Sequence, residues 1–155
     1  SGSSAAAPVA KKVIKRVITL RNNLTNIDPH FGCNPQKDRY WNAIRFHHYP
    51  SGGGHMAQHH DSHFPKILAN SNISFIQLSI CLSNKGEHFF EGGGFIINKK
   101  GEKIYVENKN SIGSLVVFDG SIDHGVQDID KNKVLDWTSK LGRIALFSNL
   151  YQVLN

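Results

Sequence analysis

The sequence predicts an antiparallel all-β domain with few short helices, built as a sandwich, jelly roll or barrel. Three observations predict it. Apolar and polar residues alternate with period 2 over short runs. Gly-rich or Asn-Lys-rich turns separate those runs, and no long helical pattern lies between them, as a doubly wound parallel sheet would require.

Each element follows in order. Residues 1–11, beginning SGSSAAAPVA, are small and polar without an apolar run after the basic residues, and read as a flexible tail before a single domain over 12–155. KVIKRVITL (12–20) alternates well enough for a strand. Residues 21–39, rich in Asn, Pro and Gly, read as a long loop with room for one helical turn. Strands are expected at YWNAIRFHHY (40–49), ISFIQLSICLS (73–83), FEGGGFIIN (90–98), KIYVEN (103–108), GSLVVFDG (113–120), DHGVQDI (123–129) and GRIALFSNLYQV (142–153). Short helices fit only at 62–72 and 131–140. No helix follows Gly92-Gly93-Gly94, so the run reads as a strand bend and not a phosphate loop.

A chain of 155 residues supports one proper core. Its net charge of +6 favours anionic partners, but the basic residues are scattered, and only Lys11, Lys12, Lys15, Arg16 and Lys99, Lys100, Lys103 approach patches. They read as a solvated surface. Cys33 and Cys81 make no disulfide framework and fit a reducing, cytoplasmic compartment. No run approaches the roughly eighteen apolar residues of a membrane span.

Chemistry concentrates in four residues. On a strand, His59 and Asp61 share a face while His60 points away. His124 follows the apolar strand SLVVF and a turn; Arg143 opens the next apolar strand. Two histidines and one carboxylate are the minimal protein ligand set for a redox-active iron(II) with open coordination positions. In a chain with nine histidines, a His-x-Asp step alone says little; its placement after a glycine bend gives it weight. A charge at Arg143 inside a core strand needs a partner: the far carboxylate of a dicarboxylic acid, or an Asp or Glu at the rim.

These blocks together resemble the Fe(II)/2-oxoglutarate-dependent dioxygenases, in particular their prolyl-hydroxylase-like branch. IRFHHYPSGGGHMAQHHD (44–61) is similar to that branch's strand, glycine loop and His-x-Asp. IQLSICLSN (76–84) and FEGGGFII (90–97) are similar to its next core strands, GSLVVFDGSIDHGVQDI (113–129) to the strand delivering the distal histidine, and GRIALFSN (142–149) to the closing arginine strand. The resemblance implies a double-stranded β-helix, the jelly-roll or cupin-like barrel. It implies that His59, Asp61 and His124 bind Fe(II) and carry the catalysis, and that Arg143 holds the distal carboxylate of 2-oxoglutarate. Tyr49 would be a hydrogen-bond donor to the same cosubstrate, or else a core aromatic. O2 is the oxidant and ascorbate a reductant; the products include succinate and CO2. The substrate would be a small molecule or peptide: prolyl, an amino acid or an amino-acid derivative. The sequence departs from the branch at Met56, where many members have tyrosine, and in the added loop KNKVLDWTSKL between His124 and Arg143. It is short enough to be a near-minimal barrel or a trimmed core.

Within that resemblance, the presence of Asp61 implies hydroxylation and not halogenation, and the lack of a second arginine in 142–155 counts against the branch that acts on nucleic acid. Loops 21–39, 62–72 and 131–140 are candidates for substrate selection. His55, His60 and His63 flank the site, most simply as solvated loop residues, and one of His47 and His48 is expected at the surface. Trp41 and Trp137 read as packing residues, although Trp137 sits where it could cover an entrance. Two other readings stay open: a cupin-like metalloenzyme that uses no keto acid, and a non-catalytic ligand-binding jelly roll.

Overall fold

A computed structural model describes residues 3–61 and 75–153. Within them lie eight strands: β1 (Tyr40–Pro50), β2 (Gly54–His59), β3 (Ile76–Cys81), β4 (Gly93–Ile97), β5 (Lys103–Tyr105), β6 (Leu115–Asp119), β7 (His124–Ile129) and β8 (Gly142–Gln152). They form two four-stranded antiparallel sheets, ordered β1-β8-β3-β6 and β2-β7-β4-β5. Nearly every connection crosses from one sheet to the other, which is the jelly-roll order. Only β4 and β5 are consecutive strands within one sheet.

Four expectations are corrected. Residues 12–20 form no strand but part of helix α1 (Ser3–Leu24), and the stretch expected as a tail enters that helix at Ser3. The buried positions Val17, Ile18, Arg21, Asn22 and Thr25 recur at helical spacing, but three of them are polar, so the apolar pattern hid the period. Residues 131–140 are turns without a helix. Within 103–108 only Lys103–Tyr105 is strand; a 3-10 turn, Val106–Asn108, follows. In the 21–39 loop the one helical turn is α2 (Pro35–Asp38), capped by Asn34 accepting from the Lys37 N–H. The helix expected at 62–72 lies outside the described residues.

The first sheet carries α1 on its outer face. There Val17 packs with Leu78, Ile80 and Leu146, flanked by Ile44, Ile76, Leu82 and Leu115. Each such side chain, fully buried, contributes about 1.5–3 kcal/mol. A second cluster, Tyr49, Phe89, Val126 and Ile129 with Met56, lies where the inner faces of the two sheets meet. Beside it, buried Asp130 ties three segments together. Its carboxylate accepts from the Ser51 hydroxyl at 2.5 Å, from the Phe90 and Glu91 N–H groups at 2.8 Å each, and from the Lys133 ammonium at 3.0 Å. Burial alone would raise its pKa, but the donors, led by Ser51, outweigh it and hold the group at about 2.

Candidate metal centre

The site starts from strand register. β2 and β7 pair antiparallel, and a shift in register between Met56 and His59 sets His59 opposite His124. Their ring centroids are 4.4 Å apart. Each ring is oriented by the same local bond: His59 Nδ1 lies 2.8 Å from the Ala57 carbonyl, and His124 Nδ1 lies 2.9 Å from the Ile122 carbonyl. A carbonyl only accepts, so Nδ1 carries the proton and Nε2 keeps its lone pair for a ligand.

Asp61 lies just past the end of β2. Its Oδ1 is 4.0 Å from His59 Nε2 and its Oδ2 is 4.0 Å from His124 Nε2. The amide of Gln77, on β3, donates to Oδ2, and the Phe118 and His124 rings meet at a steep angle with centroids 5.2 Å apart. One ligand atom from each of the three residues lies within 4.8 Å of the other two, so the group could hold a metal ion. Donors at about 2.0–2.4 Å from one ion can lie no farther apart than that.

The three open onto a cavity of about 190 Å³ between the sheets. Arg143 lines the same cavity. It opens β8 opposite Tyr49, and its guanidinium lies 5.6 Å from that ring. Its Nε donates to Glu107 Oε1 at 2.5 Å, while Glu107 Oε2 accepts the Gly94 N–H at 2.8 Å. Both side chains are almost fully buried. The Asp-or-Glu partner considered from sequence is therefore present, in the interior and not at a rim. The pair leaves Arg143 Nη1 without a hydrogen-bond partner.

Tyr49 is a core aromatic with a polar end. Its hydroxyl contacts His47 Nδ1 at 3.1 Å and the Met56 sulfur at 3.8 Å. Burial pushes its pKa up, against the pull of Arg143. His47 also lines the cavity and is held below the usual histidine range, first by burial and then by Arg45 and Arg143.

Sequence reasoning missed Glu107, Gln77, Ser79, Asn149 and Arg45. Ser79 Oγ and Asn149 Oδ1 are buried without a partner, and both residues line the cavity. A signal for Glu107 was the run Gly93-Gly94. A Cβ at Gly93, whose φ is +129°, would fall 2.8 Å from Glu107 Oε2, and one at Gly94 would fall 2.6 Å from Arg143 Nη2. The two glycines make room for the ion pair.

The remaining predicted residues fall outside the centre. His60 pairs with Asp123 at 3.3 Å and His55 lies 3.6 Å from Asp128, both at the surface. His48 is exposed while His47 faces inward. Trp137 is no packing residue, being 81% exposed, and it lines no part of the cavity. Neither 21–39 nor 131–140 supplies a lining residue; 62–72 and His63 lie outside the described residues. Cys33 and Cys81 are free thiols. Among the described residues no helix is long and apolar enough to cross a membrane.

No family model matches the chain, and no curated protein matches it. Among solved structures it is similar to a prolyl-4-hydroxylase from Pseudomonas putida, at 20% identity and a TM-score of 0.48, over 74% of this chain and 53% of that one. The chain thus spans about half the length of that protein.

Proposed function

We propose that the chain is an Fe(II)- and 2-oxoglutarate-dependent dioxygenase that hydroxylates a C–H bond of a prolyl, amino-acid or amino-acid-derived substrate, with succinate and CO2 as coproducts. One observation carries the reading. A single cavity joins a two-histidine, one-carboxylate set to a buried guanidinium whose Nη1 has no partner.

His59 Nε2, His124 Nε2 and the Asp61 carboxylate would hold the iron, and bound iron(II) would supply oxygen activation coupled to keto-acid decarboxylation. The rest falls to the chain's own residues. Arg143 Nη1 offers a charge-assisted bond to the far carboxylate of the keto acid. Ser79 and Asn149 supply polar atoms along the same wall. Gln77 fixes the Asp61 carboxylate, and apolar Val116, Phe118 and Val126 limit water around the ligands. Free Cys33 and Cys81 suit a reducing, cytoplasmic setting.

The test is spectroscopic. Fe(II) and 2-oxoglutarate, mixed anaerobically with the protein, should give the weak visible charge-transfer band of a keto-acid chelate, and oxygen should then release succinate. No band and no succinate would sink the reading. Arg143→Ala should weaken keto-acid binding by about tenfold or more and leave Fe(II) affinity nearly unchanged. A second reading draws on Glu107, which already satisfies Arg143 Nε: a cupin-like metalloenzyme in which the arginine is structural. It requires metal binding with no response to the keto acid.

A further inference from the structure

The first sheet presents a second guanidinium to this cavity. Arg45 sits on β1, on the same face as His47 and Tyr49, and all three line the cavity with the metal-ligand set. It pairs in register with Phe147 of β8, which in turn pairs with Ser79 of β3, so Arg45 shares a row with one of the unpartnered hydroxyls. Its guanidinium carbon lies 4.9 Å from the centre of the Tyr151 ring. Stacking on a ring occupies the face of a guanidinium and leaves its in-plane N–H donors free.

The two arginines differ in what holds them. Arg143 is neutralised by Glu107. Arg45 is exposed and has no carboxylate within 4.0 Å among the described residues. Five donors in a fixed fork, braced by an aromatic ring and facing a cavity, match a planar carboxylate. Both charges reach the same interior, since both depress His47.

Resting on the function proposed above, we propose that Arg45, braced on Tyr151, binds a carboxylate of the primary substrate. The enzyme would then act on a free acid, such as an amino acid or a chain's C-terminal residue, and not on the interior of a polypeptide.

The test compares acids with their neutral isosteres. N-acetyl-L-proline and N-acetylglycine, each paired with its N-methylamide, are titrated calorimetrically into the protein under anaerobic conditions, with and without Fe(II) and 2-oxoglutarate. At least one acid should bind about tenfold or more tighter than its amide. Arg45→Gln should erase that preference with the chelate band unchanged, and Arg45→Lys should restore part of it, which a merely structural role would not do. Equal binding of acid and amide overturns the proposal, as does binding of neither acid, or a preference that survives Arg45→Gln. Loss of the chelate band in Arg45→Gln would assign Arg45 to the keto acid and also overturn it. A wild-type protein with no band, but with an acid preference that depends on Arg45, would sink the proposed function and leave this inference standing.

Discussion

The two faces of the sheet β1-β8-β3-β6 differ in almost everything but their backbone. The outer face presents Ile44, Leu78, Ile80 and Leu146 to helix α1. The inner face presents Arg45, His47, Tyr49, Ser79, Asn149 and Arg143 to the cavity. Neighbours in sequence, such as Ile44 and Arg45 or Leu78 and Ser79, fall on opposite sides because the side-chain period of a strand is two. The sheet therefore has an apolar face under a helix and a mixed face toward the cavity, where buried Ser79 and Arg143 lie with exposed Arg45. The outer face supplies burial; the inner face holds groups that burial penalises, and those are the groups a ligand would satisfy.

Substitutions can separate the two. The largest effect is expected at Asp61→Ala, beside the inner face: Fe(II) affinity should fall more than about a hundredfold, since even partners of metal ligands are worth about 10–100-fold. Global stability without metal should hold, which thermal unfolding with and without Fe(II) would check. Leu78→Ala on the outer face should do the reverse, costing about 2–5 kcal/mol in denaturant unfolding while metal affinity persists in the folded protein. If Leu78→Ala abolished metal binding in the folded state, the faces would not be independent.

A carboxylate that serves the fold sharpens the contrast. Asp130 titrates at about 2 in the folded protein against an ordinary value of 3.8. Its stabilisation is complete above the unfolded value and is lost as pH falls through about 2. At about 1.4 kcal/mol per pKa unit the loss amounts to about 2 kcal/mol. Denaturant midpoints measured between pH 5 and pH 2 should fall less steeply in Asp130→Asn than in the wild type, over a window in which Asp61→Ala changes nothing attributable to this knot. The smallest effect belongs to Gly94→Ala. Its methyl group would displace the Arg143 guanidinium, and under the proposed function it should weaken keto-acid binding by about tenfold while Fe(II) affinity, read by metal titration, is unchanged.

Much of this was legible from alternation and turn residues. The strand over Tyr40–Pro50, those from Ile76 onward and the placing of His124 after an apolar strand follow from period 2 and glycine punctuation. Strand β2 was not among the expected strands, and Asp61 comes near His59 from just past its end. Helix α1 was not legible, because Val and Ile in KVIKRVITL suit a strand as well as a helix and its buried face includes Arg21 and Asn22. Glu107 was invisible for another reason. It sits on one 3-10 turn, and only the tertiary fold brings it to an arginine on β8. Ser79 and Gln77 lay in plain view in ISFIQLSICLS, but a strand's alternation does not say which of its faces looks into a cavity.

The register that sets His59 against His124 also fixes when the centre can exist. β1 and β2 come from the first 59 residues, whereas β7 begins at His124 and β8, which pairs with β1 along its whole length, ends at Gln152. Such long-range pairings pay loop-closure entropy before any contact rewards it, and form late. A chain that has not yet made the β2–β7 pairing therefore does not bring His59 and His124 together. A metal ion held there would report that pairing as made, and would stabilise the paired state alone.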